Sequence, residues 1–266
     1  MNDVLELLHK RRSVRSYNEE PIPDDVRSEI LSATMRAPTA GNMMLYSIIE
    51  IEDQGAKETL ARTCDNQPFI ARAPLVLLFL ADYQRTVDYL TFARVPERCA
   101  EREEEMRTPQ EGDLLLACWD ALVAAQTAVI AAESLGVGSC YIGDILENYE
   151  KHKDLFDLPQ YVLPICLLCF GYPKEEKNPR PLTSRFDREY IVFRDRYRRL
   201  SAAEFEDMYS ERQGRAAEHW SGPGPVPSVA ELLYARKFGA DFMREMNRSV
   251  RVMMGAWRKM EDGGDV

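Results

Sequence analysis

Histidine is scarce in this chain of 266 residues: three are present, His9, His152 and His219, far apart in sequence. No two of them have the spacing of a metal-ligand motif. Cys166-Leu167-Leu168-Cys169 has zinc-like spacing but no second pair to complete a site. In a strand, positions three apart point to opposite faces, so these two cysteines read as buried structural residues. A G-x-S-x-G elbow and a P-loop are also missing, which removes the signatures of serine hydrolases and of nucleotide-phosphate loops. Gly136, Gly138 and Gly143 fall short of the dinucleotide fingerprint, because Tyr141 fills the third glycine position and the preceding segment reads as a helix. The six cysteines are scattered and form no small disulfide framework. The first residues are acidic and amphipathic, without an apolar signal segment, and the expected location is the cytoplasm.

What is present is the composition of a globular protein, 45% hydrophobic and 29% charged. A formal net charge of −10 argues against nucleic acid as a partner. The longest apolar stretch, Leu114 to Leu135, contains Asp120, Gln126 and Glu133 and is rich in alanine. A charge at mid-helix costs about 2.5–3.5 kcal/mol in a membrane, so this reads as a buried helix closed by Gly136, and no membrane partner is expected.

Along the chain, Pro23-Asp24-Asp25 reads as a helix start, with Val26, Ile30 and Leu31 as its apolar stripe. Ser47–Ile51 and Pro74–Ala81 read as strands, the second covered on both faces. Ala56 and Leu60 lie on a helix between them. Residues 84–112 mix arginine and glutamate with little apolar periodicity and read as an exposed, partly helical excursion. Gly136–Asp144 reads as a loop, followed by helix to Phe156 and a strand from Tyr161 to Phe170. Ile191–Phe193 is expected as an edge strand. Beyond residue 200, a helix at Ala202–Glu211, the Pro- and Gly-rich break at 221–227 and one long helix from Val229 to about Met260 are expected. The methionines of that last helix are read as packing.

Arg11-Arg12-Ser13-Val14-Arg15 sets three guanidinium groups and a hydroxyl within a few residues of an acidic chain. Forked arginine donors suit phosphate oxygens and electron-rich carbonyls, although cations also favour a helix C-terminus. An anion site without visible acid–base or nucleophilic machinery suits an enzyme whose cofactor carries the chemistry.

Four segments, in order and in spacing, resemble the nitroreductase family of FMN-dependent oxidoreductases: Arg11–Tyr17, Ala37–Met44, Gly136–Gly143 and Phe170–Pro173 with Arg180 and Arg185 following. The resemblance covers residues 1–200 and implies an α+β fold. That fold has a central, mainly antiparallel sheet flanked by helices, in a domain-exchanged homodimer. Residues 201–266 would form a helical extension packing on the dimer. It implies FMN, with NADH or NADPH as reductant, and a nitroaromatic, quinone or other conjugated small molecule as acceptor of the hydride that passes through flavin N5.

By resemblance, Arg11, Arg12 and Ser13 hold the phosphate and ribityl chain with Arg185 and Arg180. Arg15 sits at the pyrimidine edge, and Asn66 with Gln67 supplies amide donors to that edge. Ile142 and Gly143 lie along the ring, and Pro38, Thr39 and Asn42 come from the other subunit. Met44 replaces the family's usual glutamine, and Tyr141 a frequent tryptophan. Tyr46, Tyr83, Tyr89, Phe92 and Tyr141 are candidate pocket aromatics. Two alternatives stay open. One is a specialised relative, a reductive dehalogenase or flavin-fragmenting enzyme; the absence of lysine between Lys57 and Lys151 counts against a dehalogenase lid. The other is a flavin-binding protein without turnover.

Overall fold

A computed structural model describes residues 2–174 and 181–258. In chain order the elements of the first part are α1 (Asp3–Lys10), α2 (Asp24–Thr34), β1 (Tyr46–Glu50), α3 (Gln54–Thr63), α4 (Phe69–Arg72), β2 (Leu75–Asp82), α5 (Gln84–Phe92), α6 (Val95–Ala100) and α7 (Glu111–Ser134). Then come β3 (Gly138–Ile142), a short 3₁₀ turn (Gly143–Leu146), α8 (Tyr149–Leu155) and β4 (Val162–Gly171). The last helices are α9 (Ala202–Glu218), α10 (Val229–Leu233), a π-helical turn (Tyr234–Phe238) and α11 (Asp241–Trp257).

The four strands form one sheet in the order β1-β2-β4-β3, with every neighbouring pair antiparallel. This is the expected α+β architecture of a sheet flanked by helices. All eight residues of β2 are buried because the sheet is covered on both faces. Val76, Leu78 and Leu80 join the core under α3 and α4, while Leu75, Leu77 and Phe79 join the core under α2 and α7. Cys169 enters the first core and Cys166 the second, as alternation along a strand requires. Pro164 has no N–H for the ladder. A register shift between Phe79 and Leu80 places it opposite Leu80 and lets a proline stand in a central strand.

The alanines of α7 explain how a 24-residue helix lies close over the sheet: Ala117, Ala121, Ala124, Ala125, Ala128 and Ala132 are all buried. Its opposite side carries exposed Leu115, Leu116, Trp119, Leu122 and Val123.

Chain contacts divide the molecule into two compact units, Met1–Lys177 with Glu245–Val266, and Asn178–Arg244. The contacts change character near Asn178 and again near Glu245. Within one chain, α11 packs back on the first unit. Ser249 accepts the Tyr149 N–H at 2.9 Å, Arg248 pairs with Glu150 at 2.7 Å, and Trp257 Nε1–H donates to the Gln110 carbonyl at 3.1 Å. Tyr161 meets Trp257 edge-on at 5.4 Å.

Three local expectations are also corrected. Gly138–Ile142 is a strand, because its backbone pairs with Leu167–Gly171. Ile191–Phe193 is a turn after a 3₁₀ helix and pairs with no strand. The single long helix after Val229 is interrupted by the π turn and by Gly239-Ala240.

Candidate functional site

β3 is an edge strand, and edges leave backbone donors and acceptors unpaired. The segment after α1 covers part of this edge. Ser13 bridges Ser139 in parallel, and the Val14 N–H donates to the Ser139 carbonyl at 2.9 Å. Tyr17 bridges Pro173, and its hydroxyl donates to the Val14 carbonyl at 3.0 Å. The strap lies so close that two glycines are required beneath it. A Cβ on Gly138 would stand 2.5 Å from Val14 Cγ2, and one on Gly171 would stand 2.5 Å from the Tyr17 ring.

Two sequence motifs thus become one place. Ser13, Arg15 and Arg11 lie close enough to the Cys140 side chain to act on it electrostatically. Burial pushes the Cys140 thiol up, partly offset by these groups. Arg11 caps the end of α1 and faces Glu133 in the last turn of α7, whose carboxyl burial raises and Arg11 lowers. Among the described residues, neither Arg11 nor Arg15 has a carboxylate in ion-pairing distance. Ser13, Arg12 and Arg15 are exposed. Ser139 Oγ, beneath the strap, is buried with no partner among the described residues.

At the far end of β3, the Ile142 side chain is buried in the core, so its backbone alone faces outward. Gly143 is exposed, with open space where a Cβ would stand. Next to it, Asp144 accepts a hydrogen bond from Gln67 Nε2 at 2.7 Å, and the same nitrogen donates to the Cys64 carbonyl at 3.0 Å. Both Gln67 amide hydrogens are therefore engaged. A flipped amide would face two acceptors with an oxygen, so the orientation is fixed. Gln67 presents its carbonyl oxygen rather than the donor expected of it. Asn66, exposed and at φ 49°, keeps its side chain outside this network.

The loop 38–45 belongs to another part of the surface. Thr39 and Ala40 are held by Asp120 on α7, while Arg11 faces Glu133 on the same helix. Asp120 and Glu133 are about 20 Å apart at roughly 1.5 Å of rise per residue. Within one chain, Pro38, Thr39 and Asn42 therefore do not meet the arginine strap. Arg185 lies in the second unit, exposed, donating to the Thr183 carbonyl at 3.1 Å. Arg180 lies outside the described residues.

Of the candidate aromatics, Tyr46 is buried with its hydroxyl unpartnered among the described residues, and Tyr141 donates to Gln126 at 3.2 Å. Phe92 and Tyr89 are 83% and 66% exposed on α5. Arg85 ties that helix to the loop, donating to the carbonyls of Met44 and, at 3.0 Å, Tyr46. Sequence reasoning missed Asp120, Asp144 and Glu147. The last is a 5% exposed carboxyl closing the turn after Gly143. Acids inside an apolar helix and beside a glycine turn were the available signal.

The comparisons with known proteins agree with this geometry. A sequence model of the Nitroreductase family matches residues 8–172. The chain is 32% identical over 246 residues to the FMN reductase (NAD(P)H) of Bacillus subtilis (strain 168), covering 88% of this chain and 93% of that one. It is 31% identical over 214 residues to the oxygen-insensitive NADPH nitroreductase of Salmonella typhimurium, covering 79% and 82%. The solved structure of B. megaterium NfrA2 has the same fold, with a TM-score of 0.79 at 24% identity over 97% of this chain and 98% of that one. With the arginine strap, the 38–45 loop and the β3–β4 pair all inside the matched region, this chain belongs to the nitroreductase family.

Proposed function

We propose that the protein is a homodimeric, cytoplasmic FMN-dependent oxidoreductase. It would pass electron pairs from NADH or NADPH to a nitroaromatic, a quinone or another conjugated small molecule. The observation that carries this reading is the seating of Arg11–Tyr17 on β3 through Val14 and Ser139. It brings Arg11 and Arg15 beside the strand that ends at the open Gly143 turn.

The residues fit FMN by the chemistry of their donors: exposed guanidinium groups and a hydroxyl for an anion, and a glycine turn that lets a flat ring approach the backbone. Bound FMN would supply two-electron transfer between the nicotinamide and the acceptor. Arg11, Arg12 and Ser13 would bind the phosphate through charge-assisted hydrogen bonds. Arg15 would hold a fixed positive charge where negative charge gathers on reduction, which favours the reduced state. Asn66 would donate to the same edge, and Gln67 would accept.

The separation of the 38–45 loop from the strap supports a site completed by a second copy, which would contribute Pro38, Thr39 and Asn42. The apolar face of α7, together with exposed Val4, Leu5 and Leu8 of α1, supports the same arrangement. Exposed apolar patches of this kind mark interaction surfaces. Six free thiols are consistent with a reducing compartment.

Purified protein should be yellow, contain FMN and oxidise NADPH or NADH when a nitroaromatic is added. Colourless protein that takes up no added FMN overturns the reading. Arg15→Ala should slow reduction by the nicotinamide more than it releases flavin, and unchanged reduction kinetics would remove Arg15 from that role.

A further inference from the structure

The loop between α2 and β1 has an irregular backbone. Gly41, Asn42 and Met44 have φ of 55°, 58° and 51°. For non-glycine residues such conformations cost about 1–3 kcal/mol each and persist where the surroundings over-determine them. One carboxylate does this here. Asp120 is 4% exposed, on the alanine-lined side of α7. Its Oδ2 accepts from the Thr39 hydroxyl and, at 3.0 Å, from the Leu45 N–H. Its Oδ1 accepts the Ala40 N–H at 2.9 Å. Thr39 Oγ1 in turn accepts the Met44 N–H at 2.8 Å.

The Thr39 hydroxyl has thus given its only hydrogen to Asp120 and used one lone pair on Met44. A single acceptor lone pair remains. An apolar residue at 120 would match the neighbouring alanines, and a buried carboxylate is stabilised only when its oxygens are filled by good donors. Both oxygens are filled, and by the loop.

We propose that Asp120 is a positioning residue for the flavin site. It sets the loop in the shape that presents Pro38 and Asn42, and it fixes the Thr39 hydroxyl as a hydrogen-bond acceptor. A group met by Thr39 must then bring its own N–H or O–H. The inference rests on the flavin reading above, with the loop serving the site of a second copy.

The test uses apoprotein titrated with FMN, read by flavin fluorescence, and thermal melting of the same apoprotein. The variants are Thr39→Ser, Thr39→Val, Asp120→Asn and the double Thr39→Val/Asp120→Asn. Thr39→Ser should bind as the wild type does. Thr39→Val and Asp120→Asn should each weaken binding about tenfold, the loss of one hydrogen bond. The double variant should bind no more weakly than Asp120→Asn, because the two groups act through one contact. Amide exchange at Ala40, Met44 and Leu45 should quicken in Asp120→Asn. Wild-type FMN affinity in Thr39→Val and Asp120→Asn, or strictly additive losses, would overturn the proposal and leave Asp120 a purely structural residue. If the wild type itself takes up no FMN, the flavin reading fails first, an outcome distinct from either.

Discussion

Glu147 closes the turn that begins at Gly143, and its Oε1 has no partner among the described residues. Burial, then the charges of Asp144, Asp65 and Glu245, push its carboxyl up to about 7. A carboxyl raised in the folded state adds stability below its ordinary range, near 4.5, and loses it as pH rises through 7. Glu147→Gln should therefore melt about 3 °C above the wild type at pH 8 and close to it at pH 4.5, by thermal melts across that range. Equal melting points at pH 8 would show the carboxyl to be better solvated than its burial implies. His152 acts in the opposite direction. It is buried between the Ile145 carbonyl at 3.0 Å and Thr63 Oγ1 at 2.7 Å, and burial lowers its pKa. The unfolded chain then takes up the proton first, so stability falls as pH drops below about 6.5. Neither group was legible in the sequence, which gives a side chain's type but not the neighbours that bury it. Arg11, Ser13 and Arg15 were legible because consecutive residues carry their own proximity. The engaged amide of Gln67 was not, since its partner Asp144 comes from a distant segment.

The strap and β3 depend on each other through Gly138. In Gly138→Ala the new methyl would meet Val14 Cγ2 at 2.5 Å and Val14 Cβ at 2.9 Å, with Pro173 behind at 3.2 Å. Such overpacking costs about 1–3 kcal/mol, and here the strap is the part free to move. Gly138→Ala should lower the melting temperature and weaken FMN binding together. Adding Val14→Ala removes the Cγ2 contact but keeps the Cβ at 2.9 Å, so it should restore part of both, in a titration and a melt of the two variants. A Gly138→Ala protein with undiminished FMN affinity would show that the strap does not seat the anion site. The motif was read through its resemblance to a family, whereas the close approach that makes Gly138 necessary shows only once the strap is seen on β3. Strand β2 and helix α7 were equally visible, through an unbroken apolar run and an alanine-rich one. The Ile191–Phe193 strand failed because three β-favouring residues without a pairing partner make only a turn. The break in the last helix was hidden because Gly239 sits in an otherwise helical pattern.

How the chain closes on itself was the least legible feature, since contacts between distant segments leave no periodicity. Trp257 meets Gln110 and Tyr161, both far from it in sequence, which returns α11 to the first unit. The apolar surplus of α7, by contrast, was plain in sequence, and the structure shows which side of it stays uncovered. Trp119 is 62% exposed there, beside Leu115, Leu122 and Val123. Covering a large apolar side chain stabilises by about 1.5–3 kcal/mol, and this is the surface on which the proposed second copy would dock. The same contact would carry loop 38–45 to the partner's strap, a distance one chain cannot span by itself. Dimerisation and flavin binding should then fail together. Trp119→Glu, which would leave a charge unpaired in the interface, should halve the mass measured by light scattering and weaken FMN binding at least about tenfold. On the proposed arrangement the second effect follows from the first, because the missing loop would be supplied in trans. A monomeric Trp119→Glu protein that keeps full FMN affinity would place the whole site within one chain. The separation of Asp120 from Glu133 along α7 would then have to be bridged in some other way.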